Sequence, residues 1–428
     1  MENEWHWVPA QEFCTSVRDG THESPKPSEQ GRLLVTSRHI TGGRLDLANA
    51  YRISQEDFDA ICRRSKVDRW DVLLSMIGTV GEPCLVREEP DFAIKNIGLF
   101  KSRGEYEGKW LYYYLRSPHA QQIIREQSRG TTQPYIPLGA LREFPVQVSD
   151  DPRTMKAIAH ILGALDDKIE LNRRMDRTLE ATARAIFKSW FVDFDPVRAK
   201  AEGRDPGLPD HMAALFPDQF EESELGEIPR GWRVGTFGEV ARNCRRGVSP
   251  SELDPGTPYI ALEHMPRRCI ALDQWAVADD VASGKFRFQR GELLFGKLRP
   301  YFHKVGIAPI DGVCSTDILV VAANSQEWSG FVMGHISSAE FVNHTDATST
   351  GTKMPRTNWS EMSRYDIVIP NQQVAGAFTR LIQPVVERII ANIHEAHRLA
   401  AVRDTLLPKL ISGELRVPDA ERFLATRL

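Results

Sequence analysis

The chain has 428 residues, with 54 lysines and arginines against 58 aspartates and glutamates, and 41% of its residues are hydrophobic. This length is too great for one ordinary core and predicts two to four domains, and the composition excludes an intrinsically disordered chain. A net charge of -4 excludes a uniformly basic coat for nucleic acid. It leaves room for local basic clefts, because binding depends on where the charges lie.

The longest strongly apolar run, Ile318–Ala323, is far shorter than the roughly 20 residues of a membrane-spanning helix. The acidic start, Met1-Glu2-Asn3-Glu4, lacks the basic and apolar regions of a signal peptide. Six scattered cysteines without a CxxC pair favour reduced thiols over a zinc ribbon or a disulfide framework. We therefore expect a cytoplasmic protein with no membrane partner and no metal site.

Residues 1–150 predict a first globule. Short apolar runs punctuated by Gly and Pro, such as Arg32–Thr36 and Val72–Met76, are typical of a mixed α/β or mostly β fold. Near its end, Trp110–Leu115 and Gln121–Glu126 predict two short helices.

Residues 151–195 predict a long helix that runs from Pro152 to Phe191. Apolar positions recur at alternating spacings of three and four, with either Met175 or Asp176 in the series, and the positions between them are rich in charge. A narrow apolar stripe on a charged helix is typical of a coiled coil. The alternative is an ordinary amphipathic helix packed on its own globule.

Residues 196–228 are rich in Pro, Gly and acidic residues and predict an irregular connector with one short helix near 208–216. A second globule over 229–370 has the same texture as the first. Residues 371–417 predict a second long helix, from Gln372 to Ile411, before a C-terminal tail at 418–428. Pro384 is expected to kink this helix or to start it afresh.

The two globule-helix units are a tandem duplication. Ser128-Arg-Gly-Thr-Thr-Gln-Pro134 has a counterpart 221 residues later in Ser349-Thr-Gly-Thr-Lys-Met-Pro355, and the same offset aligns segments of the strands and the long helices. Upstream, Gly31–Ile40 matches Gly256–Met265 with an offset of 225. An offset that holds over separate segments predicts two copies of one fold.

Apparent enzyme motifs fail on inspection. Gly291–Leu298 nearly matches a phosphate-binding loop, but Leu298 stands where the Mg²⁺-binding hydroxyl is required. His394 and His397 are one residue short of the spacing in zinc proteases, and on a charged helix they are expected to be solvated. With no catalytic constellation in the sequence, we expect a binding or scaffolding protein rather than an enzyme.

Polar residues suited to DNA contacts occur at corresponding places in both globules. Arg, Lys and His pair with phosphates, while Arg, Gln and Asn also hydrogen-bond to base edges. The candidates are Arg18, Thr21, His22, Arg38, His39, Lys95, Thr131, Thr132 and Gln133 in the first globule, and Arg245, Arg246, Ser249, His264, Lys297, Arg299, Tyr301, Thr352 and Lys353 in the second. For each residue taken singly, the alternative is a solvated surface position.

The turns Gly130-Thr131 and Gly351-Thr352 form a matched pair among these candidates. A Gly-Thr turn presents backbone N–H groups and a hydroxyl to a phosphate. The alternative is an ordinary turn before the last strand of each globule.

Two longer stretches carry a family resemblance. The first is Ser189-Trp-Phe-Val-Asp-Phe-Asp-Pro-Val-Arg-Ala-Lys200, continuing to Glu224-Leu-Gly-Glu-Ile-Pro-Arg-Gly-Trp232. The second is Leu406-Leu-Pro-Lys-Leu-Ile-Ser-Gly-Glu-Leu-Arg-Val417. Together with the duplicated order of globule and helix, they make the chain resemble the specificity subunit of type I restriction-modification systems along essentially its whole length.

The resemblance implies an α/β (α+β) fold of two target-recognition domains, each followed by a long conserved helix. The helices would pair as an antiparallel coiled coil with pseudo-twofold symmetry. Each domain would read one half of a bipartite site in double-stranded DNA, and the helices would set the spacer between the halves. The partners implied are two methylation subunits, which bind S-adenosylmethionine, and restriction subunits. The chain itself would bind no cofactor and would not be catalytic.

A pure assembly adaptor, whose globules bind proteins rather than DNA, is the alternative function. The balanced charge of the chain is compatible with it. Salt dependence separates the two functions, because phosphate contacts impose a steep slope on DNA affinity.

Overall fold

The computed structural model describes residues 5–351 and 353–427. The chain forms two compact units, Met1–Lys168 with Leu399–Leu428, and Ile169–Arg398. The first unit therefore combines the start of the chain with its end, and the divisions fall inside the two longest helices. The domain bounds predicted from the sequence stay a prediction. Among the helices in the described ranges, none has both the length and the hydropathy needed to cross a membrane.

The first globule consists of short strands with helices between them, as its punctuated apolar runs predict. Its strands are β1 (Trp5–Pro9), β2 (Ser16–Asp19), β3 (Arg32–Thr36), β4 (Ile40–Thr41), β5 (Arg44–Leu45), β6 (Tyr51–Ile53), β7 (Val72–Ser75), β8 (Pro83–Leu85), β9 (Phe92–Lys95), β10 (Ile97–Lys101) and β11 (Pro145–Ser149). Its helices are α1 (Ala10–Phe13), α2 (Gln55–Ser65), α3 (Glu105–Arg116), α4 (Pro118–Gln127) and α5 (Leu138–Arg142).

The long helix α6 (Pro152–Phe191) has the bounds that its periodicity predicts. The segment after it is more regular than predicted. It contains α7 (Asp195–Ala201), α8 (Asp210–Ala213) and a hairpin of β12 (Phe220–Ser223) and β13 (Gly226–Pro229). Phe216 in this segment is buried, and its ring lies 4.9 Å from that of Trp190 on α6. The Pro and Gly residues separate short helices and strands in this segment. Aromatic packing, such as that of Phe216 on Trp190, orders the segment.

The second globule repeats the mixture of short strands and helices. Its strands are β14 (Arg233–Thr236), β15 (Ala241–Asn243), β16 (Arg246–Val248), β17 (Pro258–Ile260), β18 (Ala276–Val277), β19 (Lys285–Phe288), β20 (Leu293–Gly296), β21 (Val305–Ile307), β22 (Gly312–Cys314), β23 (Ile318–Ala323) and β24 (Asp366–Ile369). The helices from here to the end of the chain are α9 (Ser329–Ile336), α10 (Ala339–Ala347), α11 (Trp359–Ser363), α12 (Gln372–Ile411) and α13 (Val417–Arg427). Single 3₁₀ turns lie at Ser37–His39, Leu47–Asn49, Phe237–Glu239, Pro250–Glu252, Leu262–His264, Pro300–Phe302 and Gln326–Trp328.

The sheets confirm the duplication. One sheet of the first globule has the order β2-β10-β7-β8, and one sheet of the second has the order β15-β23-β20-β21. Ser75 is paired with Ile97 in the first and Gly296 with Ile318 in the second, so both partners keep the offset of 221. Each globule also has one parallel strand pair, β3 with β9 and β17 with β22. Its first and last strands pair antiparallel, β1 with β11 and β14 with β24.

Helix caps repeat at the same offset. Ser117 Oγ accepts a hydrogen bond from the Ala120 N–H at 3.2 Å and begins α4, with Pro118 in the first turn. Ser338 Oγ accepts one from the Phe341 N–H at 3.1 Å and begins α10. A serine at this position satisfies a donor that the first helical turn leaves free. The local sequence therefore fixes the same helix start in both globules.

Polar contacts between α6 and α12 show that the two helices run antiparallel within the second unit. Asn172 Nδ2 donates to Glu395 Oε2 at 2.9 Å, and Asn392 Nδ2 donates to Asp176 Oδ1 at 2.8 Å. Residue numbers rise along one helix as they fall along the other. Asp176 is buried and Met175 is exposed, so the seam passes through Asp176. The coiled-coil pattern of the sequence is confirmed here.

Pro384 does not start a new helix, because α12 is continuous from Gln372 to Ile411. Its ring lies on an exposed face, where water can satisfy the carbonyl that loses its partner. Nearby, Leu381 is 37% exposed, whereas Ile382 is buried. Of the two expectations for Pro384, a fresh start was wrong, and a kink stays a prediction.

Asp176 is an ionisable group buried in the seam between the two helices. Burial raises the pKa of its carboxyl group to about 6, and nearby Asp273 also raises it, while the Asn392 hydrogen bond lowers it. Because its pKa is higher in the folded chain than in the unfolded chain, the folded state binds the proton more tightly. The free energy of unfolding is therefore largest below about pH 4, the ordinary pKa range of an aspartate. It falls as the pH rises through about 6.

The variant Asp176→Asn should therefore be more stable than the parent chain above pH 6, because it removes a buried charge and keeps a polar partner for Asn392. A shift of about two pKa units corresponds to roughly 3 kcal/mol at neutral pH. Thermal unfolding midpoints measured between pH 4 and pH 8 would test this. The gain should shrink towards pH 4, and Asp218→Asn, at an exposed carboxylate, should show no such trend. A pH-independent difference would contradict the assignment.

Asp166 is the hub of a polar network in the first unit. It accepts a hydrogen bond from the Tyr113 hydroxyl at 2.7 Å and is ion-paired with Arg403 of α12. Arg87 and Arg116 lie within 3.7 Å and 3.8 Å of the same carboxylate. The side chains of Asp166 and Arg403 are 10% and 12% exposed. One carboxylate thus connects both long helices to the first globule.

We expect Asp166→Asn to destabilise the first unit by about 3 kcal/mol, because it removes the buried member of the ion pair and leaves Arg403 with the exposed carboxylate of Asp404. The measurement is the thermal unfolding midpoint at neutral pH, with Asp218→Asn as the control. If both variants unfolded at the temperature of the parent chain, the network would not have this role.

Candidate nucleic-acid interface

The two Gly-Thr loops share a β-bridge at their bases and a positive φ at their glycines. Arg129 forms a β-bridge with Tyr135, and Thr350 forms one with Arg356 at the equivalent positions. Gly130 and Gly351 have φ of 85° and 102°, which a residue with a side chain rarely adopts. The turn therefore requires glycine in both copies.

Each Gly-Thr loop is fastened to the loop that follows a central strand. The Gly78 N–H donates to the Pro134 carbonyl at 3.1 Å, and the Arg299 N–H donates to the Pro355 carbonyl at 2.7 Å. A second backbone hydrogen bond is also common to both loops. The Ile136 N–H donates to the Met76 carbonyl and the Thr357 N–H donates to the Lys297 carbonyl, each at 3.0 Å. We call these paired segments the first loop pair (residues 76–78 with 129–136) and the second loop pair (residues 297–299 with 350–357).

The tips of the loop pairs are exposed. Thr131, Thr132 and Gln133 are exposed in the first loop pair, as is Lys353 in the second. Thr352 lies outside the described residues. The exposed groups have the access to a phosphate that the sequence predicts, and their role in DNA binding stays a prediction.

Five predicted residues of the first globule come together around Asn96. Its side chain is 2.8 Å from His22 Nδ1, its N–H donates to the Thr21 carbonyl at 3.1 Å, and its carbonyl accepts from the Ser37 hydroxyl at 2.8 Å. Lys95 is bridged to Thr21 and donates to the Ser24 hydroxyl. The two further members follow Ser37 in a 3₁₀ turn and are Arg38 and His39.

His39 and His264 have matched structural contacts. The Thr36 N–H donates to His39 Nδ1 at 2.9 Å, and the Ala261 N–H donates to His264 Nδ1 at 3.0 Å. His39 is buried, and this burial lowers the pKa of its imidazole, followed in effect by the Arg38 charge. A neutral, buried imidazole orders the turn beneath Arg38, which is exposed. His39 therefore orders the turn, whereas Arg38 and His22 are exposed to solvent.

A depression of about 410 Å³ lies beside this cluster and is called the first groove. It is lined by Arg18, Asp19, Arg64, Leu138 and Arg142. The Arg18 guanidinium donates to the Arg64 carbonyl at 2.7 Å, and Asp19 is ion-paired with Arg64. Three guanidinium groups against one carboxylate give the first groove a positive balance.

The second globule has an equivalent depression of about 470 Å³, called the second groove. Its lining residues are Asn243, Arg245, Phe286, Lys297, Ile318, Leu319, Arg356, Thr357, Asn358, Trp359 and Ser360. The repeat offset carries Leu138 of the first groove to Trp359 of the second. Both grooves thus lie between the end of an edge strand and the short helix before the last strand.

The second groove combines cations, amides and aromatic rings. The Arg245 guanidinium lies 6.0 Å from the centre of the Phe286 ring, and Arg356 is 3.4 Å from Asp317. Cations of this kind pair with phosphates, while Asn side chains and Arg can hydrogen-bond to base edges. The arrangement is suited to binding a nucleic acid.

Other predicted residues of the second globule have partners within the fold. Arg246 is ion-paired with Glu292, and the Ser249 N–H donates to Glu252 at 2.7 Å in a 3₁₀ turn. Tyr301, in contrast, is 47% exposed, and Arg299 belongs to the second loop pair. The structure therefore brings Arg245, Lys297 and Arg299 to the region of the second groove and its loops, and gives Arg246 and Ser249 contacts of their own.

Sequence reasoning missed several residues of the grooves, among them Arg64, Arg142, Asn243 and Arg356. Arg356 follows the aligned Gly-Thr motif by one residue, so the repeat could have identified it. Arg64 and Arg142 are brought to the first groove by tertiary packing, and no local pattern marks them.

The side chains of His394 and His397 on α12 form hydrogen bonds with the second globule. His394 Nε2 is 3.0 Å from the Pro309 carbonyl, and His397 Nε2 is 2.8 Å from the Asp273 carbonyl. The His397 ring is stacked on Trp275 at 3.9 Å. The expectation that these side chains are solvated was wrong, because the helix face that carries them packs against the second globule.

Comparisons with known proteins bear on this arrangement. A family model described as the type I restriction modification DNA specificity domain matches residues 12–181. A type I restriction enzyme specificity subunit of Haemophilus influenzae is 26% identical over 372 residues, which cover 72% of this chain and 77% of the relative. One from Methanocaldococcus jannaschii is 24% identical over 323 residues, which cover 73% of this chain and 70% of the relative.

The first globule and part of α6 thus match the type I restriction modification DNA specificity domain, and the chain is similar over about 72% of its length to specificity subunits of type I restriction enzymes. The fold agrees with this: the crystal structure of a type I specificity subunit from M. genitalium matches with a TM-score of 0.52 at 13% identity, over 96% of both chains. The family model ends within α6 and covers the first globule, so the second globule is connected to the family through the internal repeat and the longer relatives.

Lys297→Met should weaken DNA binding evenly across sequences, because a lysine ammonium in the second groove acts as a point charge on phosphates. Losing one phosphate contact should reduce the slope of log affinity against log salt by about 0.9. The measurement is a salt titration of DNA binding by the chain assembled with its partner subunits. Arg290→Met is the matched control, since Arg290 lies at the opposite end of β20 and is ion-paired with Glu387. An unchanged slope for Lys297→Met would contradict the assignment.

Proposed function

We propose that the chain selects the DNA sequence on which a type I restriction-modification complex acts. The observation that carries this proposal is a cationic groove in each copy of the duplicated globule, between the end of an edge strand and the short helix that follows the Gly-Thr loop in the chain. The relatives support it, since they are named as specificity subunits of type I restriction enzymes.

Each globule, in this proposal, reads one half of a bipartite site. Two copies of one fold with the same backbone framework and different groove side chains would recognise two different short sequences. Asp19 and Leu138 line the first groove, whereas Arg245 and Trp359 line the second. Because charge, size and hydrogen-bonding capacity differ at these places, the two half-sites should differ in sequence.

The long helices would set the spacing between the half-sites. Each has 40 residues, which at about 1.5 Å per residue gives a rod of about 60 Å. A stiff element of fixed length imposes a fixed separation, as symmetry does in dimeric DNA-binding proteins. The bipartite site should then contain a non-specific spacer of constant length.

Catalysis in this proposal belongs to partner subunits. The relatives are named as subunits of restriction enzymes, that is, as parts of a larger enzyme. We assign S-adenosylmethionine to two methylation subunits that dock on the helices, and DNA cleavage to restriction subunits. The chain would contribute sequence selection and assembly.

The direct test is to co-express the chain with its methylation subunit and to map methylated bases across a genome. A two-part motif with a fixed spacer is the expected result. Methylation at a continuous site would exclude the two-globule scheme, and an assembled complex without sequence preference would favour a protein-binding adaptor instead.

Matched variants of the two grooves should relax different halves of the site. Arg18→Ala with Arg142→Ala changes only the first groove, and Asn243→Ala with Arg245→Ala changes only the second. Because each groove contacts its own half-site, each double variant should lower discrimination in one half and preserve the other. Methylome mapping of both variants measures this. If either double variant relaxed both halves equally, the grooves would not read separate half-sites.

A further inference from the structure

Arg299 has an unusual backbone conformation for a residue with a side chain. Its φ is 53°, in the left-handed region that glycine adopts without steric penalty. Such conformations persist only where the surrounding structure imposes them, and they are concentrated at functional sites. Arg299 lies in the second loop pair, two residues after Lys297 of the second groove.

The first globule uses glycine at the same place. Gly78 has φ of 81°, and its N–H donates to the Pro134 carbonyl just as the Arg299 N–H donates to the Pro355 carbonyl. The backbone at this position is therefore built equally well with glycine. The arginine side chain adds strain to the loop without being required for its hydrogen bonds.

The same exchange occurs in a neighbouring loop of the second globule. Arg268 has φ of 53°, and its N–H donates to the His303 carbonyl at 2.9 Å. The residue 225 positions earlier is Gly43, with φ of 74°, whose N–H donates to the Glu82 side chain at 2.8 Å. Two loop glycines of the first globule thus correspond to two arginines in the second. This recurrence argues that the guanidinium groups have a purpose that is local to the second globule.

The fold itself makes little use of the Arg299 side chain. Among the described residues, its Nε is buried without a hydrogen-bond partner, and no carboxylate forms an ion pair with it. Its guanidinium lies 5.9 Å from the centre of the Phe302 ring, at the outer limit of the roughly 6 Å range of a cation–π contact. The adjacent Tyr301 is exposed. A half-buried guanidinium with unused donors, held in place by its backbone, is suited to binding an external acceptor.

We propose that Arg299 reads a guanine in the half-site recognised by the second globule. The planar guanidinium offers two parallel N–H donors, which match the O6 and N7 acceptors of guanine in the major groove. Because the φ of Arg299 and its bond to Pro355 fix the start of the side chain, the group is oriented before DNA binds. Gly78 has no side chain, so the first globule lacks this contact. The inference rests on the proposed function, since it assumes that the second globule contacts DNA.

The test compares Arg299→Gly and Arg299→Lys with the parent chain, each assembled with its methylation subunits. Randomised duplexes are selected for binding and sequenced, and affinities are then measured on the selected site and its single-base variants. Arg290→Met is the charge control outside the second groove.

The expected result has three parts. Arg299→Gly should lose discrimination at one G·C pair in one half-site by about tenfold to hundredfold, the range for a bidentate base contact. Its thermal unfolding midpoint should be unchanged or slightly higher, because glycine relieves the left-handed strain. Arg299→Lys should restore overall affinity through its charge but not the preference for that pair, since lysine lacks the planar fork.

Several results would overturn the inference. The first is an unchanged selected site in Arg299→Gly. The second is an even loss of affinity over all sequences, which would indicate a phosphate contact. The third is a fall in thermal stability together with loss of the whole half-site, which would indicate a structural role. A parent complex that selected no sequence at all would overturn the proposed function, so failure of that proposal is distinguishable from failure of this inference alone.

Discussion

The antiparallel pairing of α6 and α12 is the contact on which the rest of the chain depends. Each compact unit is made from segments of both helices, and the first unit includes residues from the far end of the chain. The Asp166–Arg403 ion pair shows what this means locally, since a residue of α12 completes a network with Tyr113 of the first globule. The two compact units are therefore not continuous stretches of the chain, because the first combines residues 1–168 with residues 399–428.

Polar contacts in the helix seam give it a defined register at some cost in stability. An apolar stripe alone would allow one helix to slide by a turn against the other, because apolar contacts are non-directional. Asp176 with Asn392, and Asn172 with Glu395, are satisfied only in one register. Buried polar residues have this role in other coiled coils, where they specify alignment rather than strength. The raised pKa of Asp176 is the physical sign of that cost.

Periodic and repeated features could be predicted from the sequence, and features made by tertiary contacts could not. The bounds of α6 and α12 and the paired Gly-Thr loops followed from local patterns that the fold preserves. The continuity of α12 through Pro384 could not be predicted, because it depends on which face of the helix is exposed. Nor could the burial of His39 or the arrival of Arg64 in the first groove, since distant segments surround both.

The two copies share the backbone framework of the candidate interface and differ in the side chains on that framework. The hydrogen bonds that fasten each loop pair use N–H and carbonyl groups, so they survive when Gly78 in one copy corresponds to Arg299 in the other. The same holds for the grooves, where Asp19 is the last residue of β2 and Arg245 follows the equivalent strand β15 by two residues. A framework held by the main chain tolerates changes of charge and size at its surface without refolding. Two copies can therefore diverge in what they recognise while keeping one fold, which is the physical requirement of the proposal that the globules read two different half-sites.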